Sequence, residues 1–408
     1  MAFDSHFPSP RGLCQYRRML RSRLRFGIFA APFHATDENP TISLQRDRAL
    51  IQWLDELGFD EAWVGEHHSA GYEVIASPEL FIADVAARTQ RIKLGTGVVS
   101  LPYHHPLMVA DRMMQLDHLT RGRTMFGVGP GLLPSDAMML GIDPRNQRDM
   151  MTQSLEVIIR LMRGEIVTEK TSWFELRDAK LQLAPYTRPH MEITVAASVS
   201  PSGPRTAGKW GLGMLSPAAT STGGFSALAY HWGMVEETAR EHGTPVSRAS
   251  WRVAGPVHIA ESREQARKDV KFGLGRWLHY FQKVVALPGV PETGDVGYCL
   301  DAMVDAGFVV CGEPDDLIKQ ITRLEEQTGG FGAFLVTTHD WANREATHRS
   351  FDLLARFVMP KFQDANAWTE RSMNWVADNR TPFLAAATQG MLEAIQKDRE
   401  RKETKAAS

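Results

Sequence analysis

Short apolar runs alternate with amphipathic segments along most of this 408-residue chain, and this rhythm constrains the fold more than any other feature. Eight of the runs are predicted to be strands: "RFGIFAAPF", "EAWVGEH", "IKLGTGVVSL", "TMFGVGPG", "EITVAAS", "LGMLSP", "WRVAGPVHIA" and "GAFLVTT". Segments with apolar residues at helical spacing follow them, as in "SLQRDRALIQWLDELG". Such repeats form right-handed parallel units. The chain is therefore predicted to form a closed (β/α)8 TIM barrel, with an open doubly wound sheet as the alternative.

Several segments depart from this rhythm. Residues 166–184 are typical of a hairpin inserted after strand 4, and further insertions are expected after strands 5 and 7. The insertion after strand 7, residues 271–311, is rich in glycine with no clear strand, and is a candidate lid. The barrel is predicted to span residues 25–360. A basic extension over 1–24, expected to be poorly ordered, precedes it, and a C-terminal helical extension over 361–408 follows.

Composition argues against several functional classes. The 46 basic and 48 acidic residues nearly cancel, which gives no reason to expect a nucleic-acid partner. No apolar run approaches the ~20 residues that cross a bilayer, so no membrane association is expected. The 3 cysteines are too scattered for a disulfide framework or a cysteine metal site. These features predict a cytoplasmic globular enzyme.

Histidines cluster after predicted strands 2 and 3, in "EHHS" (Glu66, His67 and His68) and in "YHHP" (His104 and His105). In a barrel, the carboxyl ends of the strands build the active site. A metal site is one interpretation, but adjacent side chains of an extended chain point to opposite sides, and no cysteine or clear carboxylate bridge is nearby. We therefore expect no metal, and one histidine of each pair facing the pocket.

Two further stretches suggest a phosphate and a flat ring. Ser198, Ser200 and Ser202 precede Pro204, which opens a predicted helix, and hydroxyls beside free helix N–H groups suit a phosphate. Serine-rich turns also act as simple helix caps, so this alternative stays open. Gly97 interrupts a strand, which often marks the close approach of a ligand.

Taken in order, these stretches resemble the bacterial luciferase-like family of flavin-dependent monooxygenases, from about Arg25 to Pro360. The resemblance is most specific in "DEAWVGEHHS", "RIKLGTGVVSLPYHHPLMVADRMMQLDHLTRGR" and "FGVGPG". Within the family, the chain looks most similar to limonene monooxygenase-like members, with ketone-oxidising Baeyer–Villiger relatives next. The resemblance implies a barrel that binds reduced FMN made by a separate flavin reductase. We also expect a homodimer.

The resemblance assigns roles by position. His67 matches the catalytic histidine, and Gly97–Val98 match a pair that forms a cis peptide under the flavin ring in relatives. The predicted cofactor-binding residues are Glu66, Gly97, Val98, Ala197, Ser198, Ser200 and Ser216. The predicted substrate pocket comprises Phe33, His105, Leu132, Leu133 and Met138.

The resemblance also implies a mechanism. Reduced FMN reacts with O2 to give a C4a-(hydro)peroxyflavin, an electrophile when protonated and a nucleophile as the anion, and His67 holds or transfers the proton. The expected reaction is epoxidation of a small apolar substrate such as a cyclic terpene alkene, with Baeyer–Villiger oxidation of a cyclic ketone as the alternative. A deazaflavin-dependent dehydrogenase or reductase and a non-enzymatic flavin-binding relative also remain open.

Overall fold

The computed structural model describes residues 23–30, 33–285 and 289–406. Residues 1–22 of the predicted N-terminal extension therefore lie outside the described residues. The described chain divides into two compact units, one that ends at Phe362 and one that begins at Gln363.

Eight parallel strands close into a barrel, which confirms the predicted fold class. The strands of the described residues, in chain order, are β1 (Arg25–Ala30), β2 (Glu61–Val64), β3 (Lys93–Thr96), β4 (Val99–Ser100), β5 (Thr124–Gly129), β6 (Val167–Lys170), β7 (Glu175–Ala179), β8 (Glu192–Ala196), β9 (Gly213–Ser216), β10 (Trp251–Ile259), β11 (Val310–Gly312) and β12 (Ala333–Thr337). Around the barrel the order is β1, β2, β3, β5, β8, β9, β10 and β12, which returns to β1.

Helices follow the barrel strands, as the apolar spacing predicts. They are α1 (Pro40–Leu57), α2 (Pro78–Ala86), α3 (Pro106–Thr120), α4 (Pro134–Met139), α5 (Gln147–Met162), α6 (Ser202–Trp210), α7 (Thr222–His242), α8 (Arg263–Asp269), α9 (Leu274–His279), α10 (Val296–Asp305), α11 (Pro314–Thr328), α12 (Arg344–Leu353), α13 (Met359–Gln363), α14 (Ala367–Asp378) and α15 (Arg380–Ala406). A π-helical turn, Tyr280–Val284, extends α9. None of the helices in the described part of the chain has the length and apolar character of a membrane span.

The insertions give the barrel mouth its shape. After β5 come α4, α5 and the antiparallel hairpin β6–β7, which matches the predicted hairpin. After β10, the insertion contains α8, α9 and α10 and ends in β11. β11 pairs in parallel with the end of β10, so the segment that showed no clear strand does hold a short one. The insertion predicted after strand 5 is reduced to the loop 197–201 before α6.

A buried charged network fills the amino-terminal part of the barrel interior. Arg252 donates hydrogen bonds to Glu61, at 2.9 and 3.1 Å, and to Glu192. The indole of Trp63 donates to Glu61 at 2.9 Å and lies under the guanidinium, 5.1 Å from it. Gly95 makes room for Trp63, because a Cβ there would lie 2.5 Å from the indole ring. This packing closes the floor of the barrel and leaves the carboxyl ends of the strands for the site.

The C-terminal unit consists of helices. α14 and the long α15 account for most of residues 363–406, and their side chains are largely exposed in this unit. The helical character of the predicted C-terminal extension is thus present in the structure.

Candidate active site

Glu66 anchors a hydrogen-bonded cluster just past the end of β2. Its Oε1 accepts hydrogen bonds from Nε2 of His68 at 2.8 Å and from Nε2 of His104 at 2.6 Å, and its Oε2 accepts from the backbone N–H of Ser100 at 2.7 Å. Burial alone would raise the pKa of Glu66, but the hydrogen bonds from His104 and His68 hold this pKa below its ordinary value. Glu66 is therefore an ionised carboxylate that orients two imidazole rings.

Among the described residues, this cluster is the one group of three metal-ligand side chains whose ligand atoms all lie within 4.8 Å of one another. The sequence showed no clear carboxylate bridge, and Glu66 does provide one between His68 and His104. Ligand atoms that surround a metal at about 2.0–2.2 Å in tetrahedral geometry lie more than about 3 Å apart. The oxygen–nitrogen separations of 2.6 and 2.8 Å fit shared protons instead.

The His67 ring points away from this cluster and lies between two other carboxylates. Its Nδ1 is 3.1 Å from Oδ2 of Asp136, and its Nε2 is 3.3 Å from Oε2 of Glu73. Its side chain is only 12% exposed. Burial lowers the pKa of His67, but the negative charges of Glu73 and Asp136 outweigh burial and raise it. A ring in this setting holds a proton more firmly than an exposed histidine does.

Asp136 reaches the site from α4. Besides contacting His67, it accepts a hydrogen bond from the backbone N–H of His68 at 3.2 Å and one from the Ser69 hydroxyl. Burial would raise the pKa of Asp136, but the hydrogen bonds from His67 and Ser69 lower it. The sequence interpretation did not single out Asp136. An acid two positions after the helix-opening Pro134, past a barrel strand, is the signal that identifies it.

Glu73 and Tyr280 are two further residues that the sequence interpretation did not single out. Oε1 of Glu73 accepts a hydrogen bond from the Tyr280 hydroxyl at 3.3 Å. Burial is the main cause that raises the pKa of Glu73. The Tyr280 ring packs 4.5 Å from Tyr72 and 5.6 Å from Phe33, so the insertion after β10 contributes an aromatic wall.

The peptide bond between Gly97 and Val98 is cis, as the family resemblance predicts. Gly97 packs tightly over the barrel interior, because a Cβ there would lie 3.0 Å from Cβ of Trp63 and 3.2 Å from the Phe29 ring. Gly129 at the end of β5 makes similar room, since its Cβ would lie 2.7 Å from Cγ2 of Val98. Two glycines thus leave Val98 half-buried and accessible at the barrel mouth.

The serine loop after β8 combines exposed hydroxyls with a tight backbone. Ser198 is exposed, and the Ser200 hydroxyl lies 3.0 Å from that of Ser202 at the start of α6. Gly203 lets α6 approach β8 closely, because a Cβ there would lie 2.8 Å from the Ala196 carbonyl oxygen. Nδ1 of the buried His231, beneath this loop, has no hydrogen-bond partner among the described residues. This arrangement can accept an anionic group.

Ala197 and Ser216 differ from the exposed serines. Ala197 is buried, and its backbone N–H donates to the Leu215 carbonyl at 2.7 Å. Ser216 is buried, and its hydroxyl accepts a hydrogen bond from the Trp251 indole at 3.1 Å. These two residues form the support beneath the mouth.

The structure does not bring His105 into the histidine cluster. His104 and His105 both have extended backbones, so their side chains point in opposite directions, and His104 is the one that reaches Glu66. His105 is exposed at the start of α3, with its ring 6.3 Å from that of Phe174.

The residues near α4 that were predicted to line the substrate pocket differ in their burial. Leu133 is buried, as are Asp136 and Ala137 at helical spacing from it. Leu132, which precedes the helix, and Met138, near its end, are 74% and 71% exposed. Of the residues predicted for the substrate pocket, Phe33 and Leu133 are buried, whereas Leu132 and Met138 face outward.

A cavity of about 400 Å³ lies beside the site, between α1, α12 and the insertion after β10. Several of its charged residues pair with one another, as in Arg46–Glu38 at 2.8 Å and Arg276–Asp37 at 3.3 Å. His67, Glu66 and Val98 do not line this cavity. The candidate site at the cluster of paired histidines and carboxylates is therefore separate from this cavity.

Comparisons with known proteins identify the family of the chain. The sequence model of the luciferase-like monooxygenase family matches residues 24–330. The chain is 48% identical over 375 residues to limonene 1,2-monooxygenase of Rhodococcus erythropolis, covering 92% of this chain and 96% of the relative. It is 47% identical over 368 residues to 4-hydroxyprotoasukamycin monooxygenase of Streptomyces nodosus subsp. asukaensis, covering 90% of this chain and 99% of the relative.

A solved structure supports the fold. The oxygenating constituent of 3,6-diketocamphane monooxygenase from Pseudomonas putida, a type II Baeyer–Villiger monooxygenase in complex with FMN, superposes with a TM-score of 0.70. The match covers 83% of this chain and 99% of that one at 24% identity, so it bears on the fold alone.

Proposed function

The chain belongs to the luciferase-like monooxygenase family, and we propose that it uses reduced FMN and O2 to insert one oxygen atom into a small apolar substrate. The observation that carries this proposal is the His67 ring, held between Asp136 and Glu73 after β2, at the same end of the barrel as the cis peptide Gly97–Val98 after the neighbouring β3. A proton-holding group beside a surface for a flat ring is what flavin oxygen chemistry requires.

The residues at the barrel mouth fit FMN. Val98 would contact the flavin ring, and Gly97 and Gly129 would allow the ring to come close. Ser198 and Ser200 would hold the phosphate at the start of α6, where the helix dipole favours an anion. When bound, reduced FMN supplies the two electrons that activate O2. We further propose that a separate flavin reductase delivers it, because the sequence has no dinucleotide fingerprint.

Asp136 orients the His67 ring, and His67 carries the proton. The ionised Asp136 accepts from Nδ1 of His67 and fixes the ring orientation, so Nε2, which lies 3.3 Å from Oε2 of Glu73, is the nitrogen that gains or loses a proton. Because its neighbours raise the pKa of His67, the ring keeps its proton to a higher pH than an exposed histidine does, which suits a proton donor. Donation favours transfer of oxygen as an electrophile, which suits an alkene, over attack as a nucleophile on a ketone.

The aromatic wall favours a compact, uncharged substrate. Phe33, Tyr72 and Tyr280 pack together in a buried aromatic cluster beside Glu73, which makes this side of the site apolar. Two relatives of nearly equal identity are named for different substrates, so identity alone does not choose between them. We propose epoxidation of a cyclic terpene-like alkene, with Baeyer–Villiger oxidation of a cyclic ketone as the second candidate.

The test supplies enzymatically reduced FMN, O2 and a panel of monoterpenes, cyclic ketones and anionic metabolites, followed by product identification. We expect an epoxide from a cyclic alkene. Turnover of anionic substrates alone would contradict the apolar pocket, and NADPH oxidation by the pure protein would contradict the need for a reductase. Tighter binding of a reduced deazaflavin than of reduced FMN would favour the dehydrogenase alternative. We also propose a homodimer, which sedimentation analysis tests.

A further inference from the structure

We propose that Glu73 is a positioning residue that shares a single proton with Nε2 of His67 and thereby sets when this ring can donate. The inference rests on the proposed function in taking His67 as the proton donor, but its geometry and its test stand without turnover. Glu73 lies six positions beyond His67, in the loop between β2 and α2.

The buried position of Glu73 favours a proton beside its carboxylate. Its side chain is only 10% exposed, and Oε2 has no hydrogen-bond partner of good geometry within the described residues. Within the described residues, Oε2 forms an ion pair with Nε2 of His67, at 3.3 Å. A buried carboxylate oxygen without a donor is costly. Sharing a proton with Nε2 removes that cost.

His67 and Glu73 have one proton to share, in addition to the hydrogen on Nδ1 of His67. Asp136 is ionised and accepts from Nδ1, so Nδ1 carries a hydrogen. One further proton between Nε2 and Oε2 of Glu73 gives either an imidazolium beside a carboxylate or a neutral imidazole beside a carboxylic acid. The two forms have the same net charge. Burial disfavours the charged pair, so the proton can move between the nitrogen and the oxygen.

Tyr280, which belongs to the insertion after β10, influences whether His67 or Glu73 holds the shared proton. Its hydroxyl donates to the other oxygen of Glu73 at 3.3 Å, which stabilises the carboxylate and favours a proton on His67. The other charges that act on Glu73 are those of His34 and Asp136, with opposite signs of effect. His67 is influenced in addition by Glu66. The insertion after β10 therefore affects the pKa of His67 through the hydrogen bond from Tyr280 to Glu73.

The primary test follows the His67 ring by NMR, with ¹⁵N-labelled histidine, as a function of pH in the protein without flavin. Glu73→Gln removes the negative charge, so the midpoint of His67 titration is expected to move to lower pH. Tyr280→Phe is expected to move it in the same direction by less. The matched control is Glu79→Gln, because Glu79 is a similarly buried acid, 9% exposed, that pairs with Arg112. This control is expected to leave the midpoint unchanged.

An unchanged His67 midpoint in folded Glu73→Gln would overturn the inference. If that variant fails to fold, Tyr280→Phe decides, and an unchanged midpoint there overturns it equally. Turnover gives a second measure: Glu73→Gln is expected to lower kcat by about tenfold or more, toward the ~10²-fold scale of acid–base catalysis, and to shift the pH profile with the NMR midpoint. Full turnover by His67→Ala would refute the role of His67 as proton donor, whereas the NMR coupling would still stand.

Discussion

Replacing Glu61 by glutamine is expected to destabilise the barrel by about 3 kcal/mol at pH 7. Burial alone would raise the pKa of Glu61, but the charge and hydrogen bonds of Arg252, with help from Arg25 and Trp63, lower it from 4.5 to about 2. Each pH unit between the folded and unfolded pKa corresponds to about 1.4 kcal/mol, which gives this magnitude. Breaking a buried ion pair costs about 3–5 kcal/mol in other proteins, which is consistent.

The pH dependence has a definite sign. A carboxyl whose pKa is lowered by folding stabilises the folded state fully above its unfolded pKa, near 4.5, and loses this contribution as the pH falls toward about 2. The difference in unfolding free energy between the wild type and Glu61→Gln is therefore largest above about pH 5. This difference is expected to decrease to near zero as the pH falls from 4.5 to 2.

Urea unfolding followed by tryptophan fluorescence, repeated from pH 7 down to pH 3, measures this difference. The control is Glu165→Gln, because Glu165 pairs with Arg160 at 3.1 Å on the surface and is 46% exposed. Such exposed pairs contribute about 0–1 kcal/mol. A loss of less than about 1 kcal/mol at pH 7 in Glu61→Gln, or a loss that does not change with pH, would refute the reasoning.

Three other predictions address the site and its support. His67→Ala should keep the fold and FMN binding but lower product formation by about 10²-fold or more, and unchanged turnover with reduced FMN would leave His67 a structural role only. Gly129→Ala should weaken FMN binding measured by fluorescence titration, because its Cβ would lie 2.7 Å from Val98 and displace it; equal affinity would place the flavin elsewhere. Leu133→Ala should cost about 2–5 kcal/mol of stability in urea, whereas Met138→Ala should stay within about 0.5 kcal/mol, and equal losses would contradict their different burial.

The sequence was sufficient to predict the barrel, because its determinants are local. Apolar periodicity marks each strand and helix, and the parallel order follows from their alternation. The eight predicted runs all contain barrel strands, from Arg25–Ala30 to Ala333–Thr337. The sequence also placed the "EHH" motif at the end of β2, because strand ends are readable from the pattern. The roles of the residues near that motif remain predictions.

Only the tertiary structure decided which side chains meet His67. Asp136 is 69 positions from His67, and the hydrogen bond from Tyr280 to Glu73 spans 207 positions. Such contacts arise because barrel closure brings loops from distant parts of the chain to one rim, and no local pattern encodes these distances. The choice of His104 over His105 depends likewise on the direction in which the loop after β4 leaves the barrel. The chain's local pattern thus determines the scaffold, whereas the protonation of its candidate catalytic ring depends on contacts that exist only once the barrel has closed.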